Sequence, residues 1–191
     1  MSTFCALALL CCLPFRLIAQ VSSQARLLVH PTIALSEGVY LTMWAIGNIR
    51  QNQPDNFSLF PGVGWRSGNF WGEAMVQRQW SRAGNKWNLN FRSGGRRARF
   101  SWYAEFSPFL TDKGSAHSVW VEQSLSTRVA LGLETENVYL SGREPSLGAG
   151  PRVSFVVAPN ARRRFVATVV YQLRRGEPNI ARVYLAFHPR F

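Results

Sequence analysis

The last twelve residues of the chain, IARVYLAFHPRF (180–191), alternate between apolar and polar side chains as far as the final phenylalanine. The apolar parity holds Ala181, Val183, Leu185 and Phe187, and the polar parity holds Arg182, Tyr184, His188 and Arg190. Successive side chains of a β-strand point to opposite faces, so a period of two predicts a strand with one apolar face. Chain ends are usually polar and frayed. A strand that runs to an aromatic last residue therefore calls for an explanation.

The same alternation recurs along the chain. Residues 86–92 and 97–107 alternate on either side of the sequence SGGR (93–96), which predicts a hairpin with a glycine turn. Further strands are predicted at 39–50, 57–66, 70–81, 117–125, 128–137, 147–157, 162–174 and 180–191. A single bent strand across 125–128 is the alternative at the weakest break. Short connections favour antiparallel neighbours in up-and-down order, with about ten strands and a range of eight to twelve.

The composition narrows the class of protein. Apolar residues make up 47% of the chain and charged residues 17%, which is typical of a folded chain rather than a disordered one. The net charge of +12 comes from twenty arginines and only two lysines. These arginines are dispersed along apolar segments, whereas a nucleic-acid-binding surface concentrates its basic residues on one face or arm. Nucleic-acid binding is therefore disfavoured.

The head of the chain is typical of an export signal. Residues 4–15 form one apolar run, too short to cross a bilayer as a helix, and small residues follow it. We predict a signal peptide over residues 1–25, with cleavage after Ala19 or Ala25. No Lys or Arg precedes the apolar run, so an N-terminal anchor or a buried helix is the alternative.

Removal of this head changes the chemistry of the chain and sets its domain limits. All three cysteines lie in the first twelve residues, so the mature chain would contain none and would need no disulfide in an oxidising compartment. Residues 26–38 fit no strand cleanly and are expected to be a leader. The β-barrel itself is then expected to span residues 39–191.

Three features favour a membrane barrel with its apolar face outward. Many segments have 9 to 13 residues. This length matches the strands of membrane barrels, which need about 9–11 residues, better than the strands of soluble proteins, which average about 5–6. Trp80 and Trp87 flank one turn while Trp65 and Phe70 flank the opposite one, as aromatic girdles would. Charges of both signs occupy the polar parity, and inside a narrow barrel they would have to pair. The predicted lumen network is Glu73, Arg99, Glu105, Glu122, Glu134, Arg152, Arg164 and Arg182.

The final strand resembles those of bacterial outer-membrane β-barrel proteins, which commonly end in an aromatic residue with apolar residues alternating before it. The pattern falls here on Val183, Leu185, Phe187 and Phe191, while Pro189 departs from it. The resemblance implies a terminal strand that closes the barrel against the first strand and is read by the outer-membrane assembly machinery. It also implies an outer-membrane location among outer-membrane lipids, and an even strand number with both chain ends on the periplasmic side. The arginines near predicted outer turns, Arg82, Arg143, Arg174 and Arg175, are expected to bind lipopolysaccharide phosphates, with simple solvated turns as the alternative.

The residues predict no catalytic, cofactor or metal site. His117 and Ser118 are adjacent and so point to opposite faces, which leaves a serine on a neighbouring strand as the alternative partner for His117. A barrel of about ten strands filled by long side chains should be nearly plugged. We therefore expect a non-enzymatic outer-membrane barrel of scaffold, membrane-integrity or narrow-conduit type. The alternatives are a secreted or periplasmic soluble β-barrel or sandwich that binds a ligand, and an outer-membrane lipid-modifying enzyme.

Overall fold

The computed structural model describes residues 21–51, 55–82, 84–159, 163–175 and 177–189, and within them every regular element is a β-strand. No helix in this part of the chain is long and apolar enough to cross a membrane. The strands are β1 (Val21–Val29), β2 (Thr32–Ser36), β3 (Val39–Arg50), β4 (Asn56–Ser67), β5 (Phe70–Ser81), β6 (Gly84–Arg97), β7 (Phe100–Phe109), β8 (Gly114–Ser124), β9 (Val129–Leu140), β10 (Ser146–Pro159), β11 (Arg163–Arg175) and β12 (Asn179–Pro189).

These strands form a closed, mostly antiparallel barrel, which confirms the predicted fold class. Each strand from β3 to β12 pairs with the next one along the chain, and β1 pairs with both β12 and β3. β1 and β2 meet β3 in one continuous register, from Gln24 opposite Arg50 to Ala34 opposite Tyr40. They are therefore two halves of one interrupted strand, and the barrel in the described residues has eleven strands.

The eleventh strand corrects two expectations. The ten predicted strands correspond to β3–β12, while the segment 26–38 belongs to β1 and β2 instead of forming a leader. The alternation there is obscured by Pro31, which has no N–H to donate and separates the two halves. An odd number of alternating strands leaves the first and last pointing the same way, so β1 and β12 pair in parallel. The expected even number is thus wrong.

This parallel closure separates the two described chain ends. Val21 lies beside Asn179, whereas β12 finishes at Pro189 on the opposite end of the barrel. We call the end that carries Val21 the first rim; it also bears the turns after β3, β5, β7, β9 and β11. The second rim bears Pro189 and the turns after β2, β4, β6, β8 and β10.

The hairpin between β6 and β7 departs from the predicted SGGR turn. β6 continues through both glycines to Arg97, and the turn consists of Ala98 and Arg99, with Ala98 at a φ of 52°. The glycines serve packing instead: a Cβ on Gly94 would lie 2.6 Å from the Trp71 ring, and one on Gly95 would lie 2.7 Å from the Trp102 ring nitrogen. Residues 125–128 form a separate turn, so β8 and β9 are two strands rather than one.

Candidate functional site: the barrel interior

The interior of the barrel is polar and its outer surface is apolar. Among the described residues, six large hydrophobic side chains are buried, whereas twenty-nine are exposed. The buried set also includes five charged side chains, which are Glu73, Arg92, Glu122, Glu134 and Arg182. Burying a charge is costly unless it is paired and hydrogen-bonded. The interior must therefore be a lattice of matched partners, and three groups of residues provide it.

The first group surrounds the carboxylate of Glu73, whose side chain has no solvent exposure. Tyr40 Oη and Thr42 Oγ1 donate to Oε1 at 3.2 and 3.0 Å, and Trp44 Nε1 donates to Oε2 at 2.8 Å. His30 Nε2 lies 3.0 Å from Oε1. These three donors follow one another at a spacing of two on β3, so a single strand face presents all of them to β5.

The break between β1 and β2 places His30 in this group. The His30 ring stacks on Trp44 at 3.8 Å between centroids, and its Nδ1 lies 3.3 Å from Nδ1 of His188. The backbone N–H of His30 donates to the carbonyl of Phe187 at 2.9 Å, which keeps β12 attached where the strand is interrupted. The first strand is thereby held to the last one across the closing seam.

The second group pairs Arg92 with Glu105. Arg92 Nη2 lies 3.4 Å from Glu105 Oε1, and the same oxygen accepts from Asn90 Nδ2 at 2.6 Å. Tyr103 Oη donates to the other carboxylate oxygen at 2.5 Å. The guanidinium also lies 4.5 Å from the ring centres of Trp44 and Phe60, where cation–π attraction adds to the pairing.

The third group is the largest and joins β8, β9, β10 and β12. Arg182 places Nη1 and Nη2 at 2.5 and 3.1 Å from the two oxygens of Glu136, a bidentate arrangement that lysine cannot make. Arg152 bridges Glu122 at 2.7 Å and Glu134 at 2.5 Å. Glu134 also accepts from Tyr184 Oη at 2.7 Å. The pairs thus form one continuous network.

Side chains of the lattice fill the lumen in the described part of the chain, and several of them are almost fully shielded from water. Asn90 and Gln172 have no accessible surface, and Glu134 and Arg182 retain only 1%. A continuous aqueous channel would leave the side chains that line it accessible to water. The small size of Gly148 allows Gln172 to pack closely against it, because a Cβ at this position would lie 3.3 Å from the Gln172 amide oxygen.

The structure places six of the eight predicted network residues in these groups: Glu73, Glu105, Glu122, Glu134, Arg152 and Arg182. The prediction for Arg99 is wrong, because this residue lies exposed in the turn after β6. The turn was predicted at residues 93–96, which placed Arg99 inside the next strand. Arg164 has the inward parity of β11 but lies exposed near the second rim, opposite His188.

Several lattice members were missing from the predicted set. Arg26 and His30 were passed over because their segment was assigned to the leader. Glu136 follows Glu134 by two residues, and Arg92 follows Asn90 by two residues. Side chains two residues apart on a strand share a face, so the alternation in the sequence could have identified both as inward-facing. Arg174 was read as a residue of an outer turn, yet its Nη2 donates to Ser146 Oγ at 2.6 Å and its Nη1 lies 3.6 Å from Glu136.

The predicted girdle residues lie on the outside of the barrel at both rims. Trp65 and Phe70 are more than half exposed near the second rim. Trp87 is 45% exposed near the first rim, where Trp80 stacks on Phe57 at 5.8 Å. Phe100 and Trp102 also lie at the second rim, because β7 begins at Phe100.

The final strand closes the barrel through β1. Val183, Leu185 and Phe187 share the outward parity of β12 and lie opposite Ala25, Leu27 and Val29 of β1. Phe191 lies outside the described residues.

The described residues include no cluster of three or more His, Cys, Asp or Glu side chains that could hold a metal ion. No protein-family model matches the sequence, and it has no significant match among curated proteins or solved structures.

Proposed function

We propose that this chain is an integral β-barrel protein of the bacterial outer membrane, with a sealed interior and a scaffold or membrane-integrity role. The observation that carries the proposal is the inverted burial: charged side chains fill the interior while apolar side chains cover the exterior. An apolar exterior is stable in the hydrocarbon core of a bilayer. A closed barrel also pairs its backbone N–H and C=O groups between neighbouring strands, so no strand edge is exposed to lipid.

The dimensions of the strands support this proposal. β3 to β12 have 10 to 14 residues each, and a tilted strand needs about 9–11 residues to cross the hydrocarbon core. The aromatic side chains at both rims, Trp87 at one and Trp65 at the other, match the two interfaces of a bilayer.

The soluble alternative fits the exterior poorly. A water-soluble barrel or sandwich buries its apolar face and exposes its charges. Here Leu133 is 62% exposed and Val63 is 52% exposed, while Glu134 between outward neighbours is 1% exposed. In water such a surface would drive association, since apolar patches of this extent are rare on soluble monomers.

The outer membrane as the location rests on the export-type head and on the final strand. Ala25 lies within β1, opposite both Ile49 and Val183, so cleavage there would remove residues that pair with β3 and β12. Cleavage after Ala19 would leave β1 whole and is the site we favour. The odd strand number departs from bacterial single-chain barrels, which have even numbers.

Lipid phosphate groups are the partner that the second rim fits best. Its exposed basic residues in the described chain are Arg66, Arg96, Arg97, Arg99, Arg128 and Arg164. Glu37 is the exposed acidic residue of that rim in the described chain. Guanidinium groups bind phosphate through paired hydrogen bonds. We propose that this rim contacts the phosphate groups of anionic outer-membrane lipids, and that the assembly machinery reads β12.

Single cysteines test the proposal, because a chain cleaved after Ala19 contains no other cysteine. Ala104 and Glu105 are neighbours on β7 with opposite parity, so Ala104→Cys should react with a lipid-soluble maleimide in outer-membrane fractions while Glu105→Cys should not. The refolded barrel should also conduct no measurable current across planar bilayers. A chain that stays soluble and monomeric without detergent would refute the membrane proposal, and steady single-channel currents would refute the sealed interior.

A further inference from the structure

A serine and a histidine form a hydrogen-bonded pair on the outer surface of the barrel, where the lumen lattice does not reach them. Ser115 and His117 are two residues apart on β8, so both side chains share the outward face. Ser115 Oγ lies 3.0 Å from His117 Nε2. This separation is within the range of about 2.6–3.2 Å over which a histidine can take a proton from a hydroxyl.

Two aromatic rings fix the orientation of His117. The Phe106 ring centre lies 4.9 Å from the imidazole centre on the β7 side, and the Tyr139 ring meets it edge-on at 5.3 Å on the β9 side. Phe106 and Tyr139 are each 42% exposed, and the serine and histidine are half-buried. The pair is therefore held in place and still accessible from outside.

An apolar groove adjoins the pair. It has a volume of about 710 Å³, crosses the outer surface from Val39 on β3 to Val119 on β8, and includes His117 on its last strand. Small residues such as Ala74 and Ala104 leave it open. A groove with this lining fits an acyl chain.

The depth of the pair in the bilayer is appropriate for lipid esters. β8 begins at Gly114 on the first rim, so Ser115 and His117 lie in its first four residues. The ester bonds of a membrane lipid lie between its head group and its acyl chains, at the interface where the rim is placed. A nucleophile at this level would meet an ester carbonyl while the acyl chain lay in the groove.

We propose that Ser115 and His117 are the nucleophile and general base of a hydrolase that cleaves acyl esters of membrane lipids. Ser115 Oγ attacks the ester carbonyl while its proton passes to His117 Nε2, and the same proton then goes to the departing alcohol oxygen as the ester C–O bond breaks. Water then hydrolyses the acyl–Ser115 ester. His117 takes a proton from the water while the water oxygen attacks the acyl carbonyl. The bond between the acyl carbon and Ser115 Oγ breaks, the carboxylic acid leaves, and the proton passes from His117 to Ser115 Oγ.

The proposed dyad adds an enzymatic activity to the proposed scaffold barrel, and its serine lies on the same strand as His117, two residues away, rather than on a neighbouring strand. The dyad itself depends on the geometry of β8, while the identity of the substrate as a membrane lipid rests on the proposed membrane barrel. Ser118, adjacent to His117 but facing the interior, provides a matched control.

The test uses the full chain refolded in detergent, treated with a fluorophosphonate probe that modifies activated serines. We expect covalent labelling, with mass spectrometry placing the label on Ser115; labelling should be lost in Ser115→Ala and unchanged in Ser118→Ala. Hydrolysis of a p-nitrophenyl palmitate ester should fall about 10²-fold or more in His117→Ala. Ala104→Trp, which fills the groove, should lower hydrolysis of the palmitate ester while sparing the butyrate ester.

Folding of each variant is checked by its β-sheet circular dichroism. Folded wild-type protein that takes no label, or a label located on another serine, would overturn the dyad. A labelled, active protein that fails to insert into vesicles would instead overturn the membrane barrel and leave the dyad standing. Equal loss of palmitate and butyrate hydrolysis in Ala104→Trp would overturn the groove as the acyl site.

Discussion

Replacing Glu73 by leucine removes the shared acceptor of the first buried group. Tyr40, Thr42 and Trp44 donate to its two oxygens and are themselves at most 8% exposed. A buried donor left without a partner costs about 1–3 kcal/mol. Thr42 keeps His30 Nε2 as a partner at 2.8 Å, so the Tyr40 hydroxyl and the Trp44 indole N–H are the two donors that lose their acceptor. With the loss of the anion beside His30, we expect a decrease of about 3–5 kcal/mol in the free energy of unfolding.

The measurement is urea unfolding of the chain refolded in phospholipid vesicles, followed by the fluorescence of its seven tryptophans. Glu73→Gln keeps one acceptor oxygen and should lose less than Glu73→Leu. Glu37→Leu removes a carboxylate from an exposed turn and should change the free energy by less than about 0.5 kcal/mol. Equal stabilities of Glu73→Leu and wild type would refute the reading of Glu73 as the acceptor that organises this end of the lumen.

Three further predictions concern the second group, a glycine and the last residue. Glu105→Leu should destabilise the barrel by about 2–4 kcal/mol because it strands the guanidinium of Arg92, and adding Arg92→Met should recover part of that loss; a double variant less stable than Glu105→Leu would contradict the pairing. Gly94→Ala should cost about 1–3 kcal/mol through the Trp71 contact, whereas Gly47→Ala, with open space around it, should be near neutral in the same urea titration. Deleting Phe191 should lower the yield of assembled barrel in outer membranes more than the unfolding midpoint of refolded protein; unchanged assembly would remove the role given to this residue.

The alternation of side chains determined from sequence which residues face the interior. Parity is a local property of an extended backbone, so it can be read without knowing what a strand pairs with. It placed Glu105 and Glu122 on the inward face of neighbouring strands, and the ten strands from β3 to β12 followed from it. The charge on the inward parity and the aromatic residues near strand ends likewise required no knowledge of tertiary contacts.

Tertiary structure alone decided the number of strands and the choice of partners. The first strand became visible only through its pairing with β3 and β12, because Pro31 interrupts its pattern and the hydrogen bonds that sustain it come from its neighbours. Arg182 meets Glu136 although 46 residues separate them, since closure of the barrel brings β9 and β12 to face each other across the lumen. Gly94 and Gly95 look like a turn in sequence, yet the Trp71 and Trp102 rings beside them require glycine within a strand. A linear pattern records the direction of a side chain, but its partner depends on the closure of the whole sheet.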